Sequence, residues 1–166
     1  LNGNEAVIEQ TKGTLCVRDP YILKGPDENG KDCYFIIATD MNALEGWTSN
    51  HALITWRSYD LINWTDETVI DMREFEGFEN TNRAWAPQAI WDSEKEMYMV
   101  YWANSTLEND TAGHYYAYTK DFKTFETAPE VLFGRWNEVD EETGEVRNIQ
   151  CIDGDIIYNE KDGSGG

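Results

Sequence analysis

Positive charge is scarce in this sequence. Lys and Arg number 13 against 32 Asp and Glu, which gives a formal net charge of −19. Nucleic acids and anionic membrane surfaces are bound through clusters of basic residues, so the charge argues against both as partners. A neutral partner such as a glycan is compatible with it.

Long apolar runs, cysteines and histidines are also few. No apolar stretch approaches the roughly 18 residues of a membrane span, and the first residues lack the basic and apolar regions of a signal peptide. Cys16, Cys33 and Cys151 match no zinc spacing and cannot form a full disulfide framework, so we expect them to be buried as small apolar side chains. His51 and His114 also lack ligand spacing. We therefore expect ordinary loop or strand histidines and no metal site in this chain.

The chain repeats itself with a period of 67 residues. Residues 19–23 recur at 86–90 and again at 153–157. After each of the first two starts, a polar turn leads into an aromatic and β-branched run, at 34–38 and at 97–102. Short apolar runs bounded by Gly, Pro, Asn and Asp predict strands rather than helices.

A second element recurs later in each repeat. Residues 57–64 and 118–125 both indicate a strand, then a turn containing Asp, then an aromatic residue. Each repeat therefore predicts four antiparallel strands, which is the content of one β-propeller blade. A β-sandwich is the alternative, but the constant offset favours the propeller.

We predict an all-β chain that supplies about two and a half four-stranded blades of a propeller. Blade one spans about 15–82, blade two 83–149 and the start of blade three 150–162, and 163–166 is a linker-like tail. Propellers close with about 4–8 blades. We therefore expect the other blades to come from outside these residues, including from a companion chain.

The repeat places two carboxylates, Asp19 and Asp153, at equivalent positions on inner strands of different blades. Because inner strands line the axis of a propeller, both side chains can reach one pocket. Converging carboxyl groups are the apparatus of glycoside hydrolysis, in which a base deprotonates water and an acid protonates the leaving oxygen. Turn chemistry at strand starts is the alternative reading of both residues.

Four motifs resemble those of glycoside hydrolase family 43, and they occur in the same order. They are VRDPYIL at 17–23, WRSYDLINW at 56–64, RAWAPQAI at 83–90 and CIDGD at 151–155. The resemblance covers nearly the whole chain. It implies a five-bladed β-propeller of inverting glycosidases that act on arabinose- and xylose-containing plant polysaccharides, of the α-L-arabinofuranosidase or β-xylosidase type.

The resemblance also implies roles for individual residues. Asp19 matches the general base that activates water. Asp153 matches the aspartate that tunes the pKa of the general acid and holds that acid in place. The expected substrate-binding residues are Trp85, Arg83, Gln88 and Trp47. Asp40 and Trp102 flank strands at repeat-equivalent places, so they are also expected near the pocket.

The general acid of the family is a Glu on a later part of the third or fourth blade. Glu160 follows Asp153 too closely and is expected to be a solvated turn residue, so these residues alone are expected to be inactive. No cofactor is required, and any calcium on the propeller axis would be held by residues outside this chain. The expected location is secreted, periplasmic or at the cell surface rather than cytoplasmic.

Two other functions stay open. A non-catalytic glycan-binding propeller would keep the aromatic pocket and lose hydrolysis. A structural half of a split propeller would need only the strands and the surfaces through which the other half packs.

Overall fold

The structure is a computed structural model that describes residues 3, 5–109, 112–134, 136–159 and 164–165. Only the backbone is described at 136–138, 148, 158–159 and 164–165. Glu160 and half of the predicted tail (163 and 166) lie outside the described residues, so the expectations for them are untested.

Strands form almost all of the regular structure. They are β1 (Val17–Pro26), β2 (Asp32–Asp40), β3 (Ala52–Ser58), β4 (Trp64–Asp71), β5 (Thr81–Asp92), β6 (Met97–Thr106), β7 (Gly113–Thr119), β8 (Glu130–Phe133), β9 (Trp136–Val139), β10 (Val146–Ile149), β11 (Tyr158–Asn159) and β12 (Ser164–Gly165). Two short 3-10 helices, Ala43–Glu45 and Met72–Glu74, follow β2 and β4. Within the described residues, no helix has the length and apolar character needed to cross a membrane.

Each of the first two repeats forms its own sheet. The strand orders are β1-β2-β3-β4 and β5-β6-β7-β8, and every strand pairs antiparallel with the next. The prediction of an all-β chain with four antiparallel strands in each of these repeats is therefore confirmed. Two hairpins, β9–β10 and β11–β12, follow the second sheet.

Strand β2 shows how the sequence pattern builds the core. Alternate side chains point to opposite faces of a strand. Cys33, Phe35 and Ile37 face the second sheet and are completely buried. Ile36 and Ala38 face the other side, where a smaller apolar cluster packs.

The main core lies between the two sheets. The Phe35 ring contacts the rings of Tyr98 and Phe122 from the second sheet, with centroids 5.4 Å and 4.4 Å away. Trp102 stacks on Phe125 at 5.4 Å. Trp102 is completely buried, so its large side chain serves packing. The expectation that it lies near a pocket stays a prediction. Strand β5 contacts β1, β2 and β3, so the sheets pack face to face.

Hydrogen bonds also cross between the sheets. The Tyr98 hydroxyl donates to the carbonyl oxygen of Pro26 at 2.7 Å, and the Thr55 hydroxyl donates to that of Phe122 at 2.7 Å. Gly25 allows the first contact, because a Cβ on this residue would lie 2.1 Å from the Tyr98 oxygen. The two sheets are thus joined by directional contacts as well as by apolar burial.

Asp40 anchors the segment that precedes β1. Its buried carboxylate accepts hydrogen bonds from the Gln10 side chain at 2.8 Å and from the backbone N–H and hydroxyl of Thr14 at 2.9 Å and 2.8 Å. Gly13 packs so closely that a Cβ would lie 2.1 Å from a carboxylate oxygen. Asp40 therefore holds the chain before β1, and its expected place near the pocket stays a prediction.

The cysteines do not share one environment. Cys33 is buried, but Cys16 is exposed and Cys151 is half-buried. The expectation of three buried cysteines is wrong for the latter two, because Cys16 precedes an edge strand and Cys151 lies beyond the second sheet.

Candidate functional site

The three repeat starts share an unusual backbone conformation. Asp19, Ala86 and Asp153 have φ angles of 47°, 46° and 56°. This left-handed region costs a non-glycine residue roughly 1–2 kcal/mol. Such strain persists only where the surrounding structure holds it, and it is concentrated at functional sites. The shared conformation therefore makes these three positions candidates for a functional site.

A β-bulge accompanies two of these residues. The pairing of β1 with β2 shifts register between Arg18 and Tyr21, and the pairing of β5 with β6 shifts between Trp85 and Gln88. The two bulges occupy equivalent places in the repeat. A bulge bends its strand and changes the direction of a side chain, so the first strand of each sheet bends at the same point of the repeat.

The bulges and the third repeat start line one concave site of about 310 Å³. Its lining residues are Asp19, Pro20, Tyr21, Ala86, Pro87, Gln88 and Asp153. Both aspartates are exposed. The structure therefore brings the two predicted carboxylates and Gln88 to one place, where β1 and β5 meet.

Two tryptophans stand beside this site. Trp47 and Trp85 pack edge to face, with ring centroids 6.4 Å apart and planes at 81°. The guanidinium of Arg18 lies 4.9 Å from the Trp47 ring, and that of Arg83 lies 5.0 Å from the Trp85 ring. Trp47 is 59% exposed. Three predicted substrate-binding residues, Trp47, Arg83 and Trp85, are thus brought together, and Arg18 joins them.

Two buried side chains of the first repeat, one on β2 and one just before β3, hold the backbone around Trp85. The Thr39 hydroxyl oxygen accepts the N–H of Ala86 at 2.8 Å. Asn50 accepts the N–H of Ala84 at 2.9 Å and donates to the carbonyl oxygen of the same residue at 3.1 Å. Sequence reasoning missed both residues because neither belongs to a recurring motif. The sequence offers one indication of these two residues, which is that each is a polar residue next to an apolar run.

The segment that carries Asp153 is bound to the second sheet by side chains. The N–H of Gly154 donates to Nε2 of His114 at 3.0 Å, and the N–H of Ile156 donates to the Tyr101 hydroxyl oxygen at 3.2 Å. The Tyr101 hydroxyl in turn donates to Oε1 of Gln88 at 2.7 Å. His114 lies on a strand, as expected, but its contact beside Asp153 was not foreseen.

Burial controls the protonation of both anchoring side chains. It lowers the pKa of His114 below its ordinary value of 6.5, although the charge of Asp153 acts in the opposite direction. It raises the pKa of Tyr101 to about 12. Both side chains are therefore neutral near pH 7, as their hydrogen bonds require.

Across the described ranges, no three His, Cys, Asp or Glu side chains form a group that could hold a metal ion. By the resemblance, any calcium on the propeller axis would be held by residues outside this chain, so the calcium stays an expectation and no reaction step is assigned to a metal.

Paired carboxylates and aromatic side chains around one concave site of an all-β chain are typical of proteins that process glycans. The chain belongs to a glycosyl hydrolase family related to glycoside hydrolase family 43, because a family model described as "probable glycosyl hydrolase domain" matches residues 1–163. The resemblance seen in the sequence is thereby confirmed.

A curated relative is an α-L-arabinofuranosidase of Bifidobacterium longum subsp. longum. It is 27% identical over 152 residues, which cover 78% of this chain and 14% of the relative. The chain thus spans a small part of the length of that enzyme.

Proposed function

We propose that the complete polypeptide containing this chain is an inverting glycoside hydrolase that acts on arabinose- or xylose-containing plant glycans. The observation that carries the proposal is the convergence of Asp19 and Asp153 on one concave site beside Trp85. Family membership and the arabinofuranosidase relative support the same class of reaction. The substrate type is that of an α-L-arabinofuranosidase or a β-xylosidase.

The two aspartates have different roles in this proposal. The Asp19 carboxylate accepts a proton from the water that attacks the anomeric carbon. A Glu outside this chain donates a proton to the leaving oxygen, and attack from the opposite face inverts the anomeric configuration. Asp153 holds that Glu in place, and its negative charge keeps the Glu protonated by raising its pKa.

The proposed architecture is a five-bladed propeller, in which the two sheets are the first two blades. Two features support it: the sheets pack face to face, and their first strands β1 and β5 meet at the concave site. The far face of the second sheet carries an apolar groove of about 590 Å³, whose lining includes Ile90, Met99, Leu132 and Phe133. A third blade, completed by the rest of the polypeptide or by a companion chain, would cover this groove.

The test uses the full-length protein with aryl α-L-arabinofuranosides and β-D-xylosides. NMR of the first product formed is expected to show the inverted anomer. Replacing Asp19 by Asn removes the base with little change in size, so kcat is expected to fall by roughly 10²–10⁴-fold.

The matched control is Asp32→Asn, because Asp32 is an exposed carboxylate on β2 that pairs with Lys24. It is expected to retain wild-type turnover. An Asp19→Asn protein with unchanged kcat would reject the proposed mechanism.

A non-catalytic glycan-binding function is the second candidate. The exposure of Trp47 favours it, because an exposed indole presents a flat apolar face to the C–H face of a sugar. Calorimetry with arabinoxylan oligosaccharides would show binding by the full-length protein without release of sugar. In that case Trp47→Ala is expected to weaken binding, and Asp19→Asn is expected to leave it unchanged.

A further inference from the structure

The segment that carries Asp153 is held differently from the first two repeat starts. Residues 150–157 contain no strand. Even so, Asp153 keeps the left-handed φ of 56°. Within this segment, the N–H of Cys151 donates to the carbonyl oxygen of Ala112 at 3.1 Å. The contacts on the other side of Asp153 come from two side chains of the second sheet.

The first contact requires a particular form of His114. The ring is buried, and Nε2 accepts the Gly154 N–H at 3.0 Å. An imidazole nitrogen can accept only when it carries no proton, so the proton of the neutral ring is on Nδ1. A Cβ on Gly154 would lie 2.5 Å from Nε2, which leaves room for glycine alone. The residues paired with His114 across the sheet, Ala103 and Phe133, do not titrate.

The second contact has a fixed direction. The Tyr101 hydroxyl accepts the N–H of Ile156 at 3.2 Å and donates its own proton to Oε1 of Gln88 at 2.7 Å. Tyr101 is 1% exposed, so solvent does not compete for these bonds. Gln88 lines the same concave site as Asp153. Tyr101 therefore ties the two walls of that site together.

We infer that His114 and Tyr101 are positioning residues, which fix the backbone on the C-terminal side of Asp153 and so aim its carboxylate into the concave site. The inference deepens the proposed function and depends on it, because the aim of Asp153 matters only if that carboxylate holds the general acid. Losing either bond frees backbone rotations next to Asp153. Displacement of a supporting group by about 1 Å is enough to lower a rate roughly 10²-fold.

The His114 contact depends on pH. A protonated ring would direct an N–H at the N–H of Gly154, so the hydrogen bond would be lost. The titratable groups that face His114 from the surrounding segments are Asp153, Asp155, Cys151 and Tyr101. Burial favours the neutral ring more strongly than the charge of Asp153 favours the imidazolium. The contact is therefore intact near pH 7 and is lost in acid.

The first experiment measures hydrogen–deuterium exchange of the peptide 151–157 in the full-length protein by mass spectrometry. His114→Leu removes the acceptor, and exchange is expected to become about tenfold faster, since a hydrogen bond of ordinary strength is lost. His114→Gln keeps a neutral acceptor and is expected to exchange like the wild type. His51→Gln, at the other histidine, is the matched control and is expected to change nothing.

Kinetics supply an independent readout of the same variants. His114→Leu is expected to lower kcat about tenfold with KM unchanged, and His114→Gln is expected to lose the acidic limb that His114 adds to the kcat profile. Unchanged exchange in His114→Leu would overturn the inference, and so would an acidic limb in His114→Gln identical with that of the wild type, because protonation of the base Asp19 accounts for the part of the limb common to both. If the wild type hydrolyses no glycoside, the proposed function fails, and the exchange measurement still decides whether His114 positions the segment.

Tyrosine variants test the second contact. Tyr101→Phe removes one hydroxyl from the core and is expected to speed exchange of 151–157 about tenfold. Tyr98→Phe is the matched control, because Tyr98 is another buried tyrosine of β6 whose hydroxyl binds Pro26 instead. Equal exchange of 151–157 in the two variants would overturn the role of Tyr101.

Discussion

The first two repeats and the third hold the same backbone conformation by different means. Asp19 and Ala86 lie in bulges of strands that pair with β2 and β6. Asp153 lies in a segment without a strand, where His114 and Tyr101 bind the backbone. The left-handed conformation thus recurs at the start of all three repeats. The contacts that hold it differ: strand pairing in the first two repeats, and side chains of the second sheet in the third.

The largest expected effect concerns the packing of the first sheet on the second. Phe35 is completely buried against Tyr98 and Phe122. Phe35→Ala is therefore expected to lower the free energy of unfolding by roughly 3–5 kcal/mol, through lost burial and a cavity. Chemical denaturation of the full-length protein measures it. Leu44→Ala is the control, because Leu44 is 96% exposed and should cost under about 0.5 kcal/mol. Equal costs would contradict a shared core.

Asn50 tests the polar contacts between the same two sheets. Asn50→Ala leaves the N–H and carbonyl of Ala84 buried without their partner, and we expect a loss of about 2–3 kcal/mol. Asn29→Ala is the control at an exposed turn residue, and denaturation midpoints compare the two. A midpoint for Asn50→Ala that matches the Asn29→Ala midpoint would show that Ala84 finds other partners.

Much of the fold was predictable from the sequence because its pattern repeats. The offset of 67 residues predicted four strands in each of the first two repeats and placed Asp19 and Asp153 together. The residues that support the site were not predictable, because Asn50 and His114 act on residues that are distant in sequence and belong to another strand or segment. Such contacts leave no periodic signal. The wrong expectation for Cys16 has a related cause, since residue type does not reveal a sheet edge.

A variant at Phe133 tests whether the far face of the second sheet is covered in the full-length protein. In the 166-residue chain alone, the Phe133 side chain is 54% exposed on the face of the second sheet that points away from the first sheet. If a third blade covers that face in the full-length protein, Phe133→Ala should cost about 1.5–3 kcal/mol in a denaturation experiment. A cost below about 0.5 kcal/mol would contradict the proposed propeller, because an exposed side chain contributes little.

A variant at Ala86 tests the strain of the left-handed backbone without changing a carboxylate. Ala86 shares the left-handed conformation of Asp19 but has no functional side chain. Ala86→Gly relieves the strain and loses some chain entropy, so we expect a gain of about 0.5–1 kcal/mol. Ala89→Gly is the control three residues along the same strand, where φ is not positive, and it should destabilise by about 0.5–1 kcal/mol. A loss in both variants would mean that the left-handed residue is not strained.

The smallest expected effect involves a single proton on His114. Burial lowers its pKa in the folded protein, against the opposing charge of Asp153, whereas the unfolded chain has the ordinary value of 6.5. Below about pH 6.5 the unfolded state therefore binds more protons than the folded state, so stability falls as the pH falls from 7 toward 5. His114→Gln cannot titrate and should lack this component when midpoints are compared at each pH.

Protonation of His114 also distinguishes the third repeat start from the first two. Strand pairing holds the backbone at Asp19 and Ala86, and the Thr39 hydroxyl adds to it at Ala86, so acid should loosen the segment of Asp153 before it loosens β1 or β5. Hydrogen exchange at pH 7 and pH 5, expressed as protection factors that correct for the slower intrinsic exchange at pH 5, would show lower protection in 151–157 and little change at the two bulges. Because only the His114 contact requires an unprotonated ring, simultaneous loosening of all three starts would mean that acid acts on the sheets themselves and not through His114.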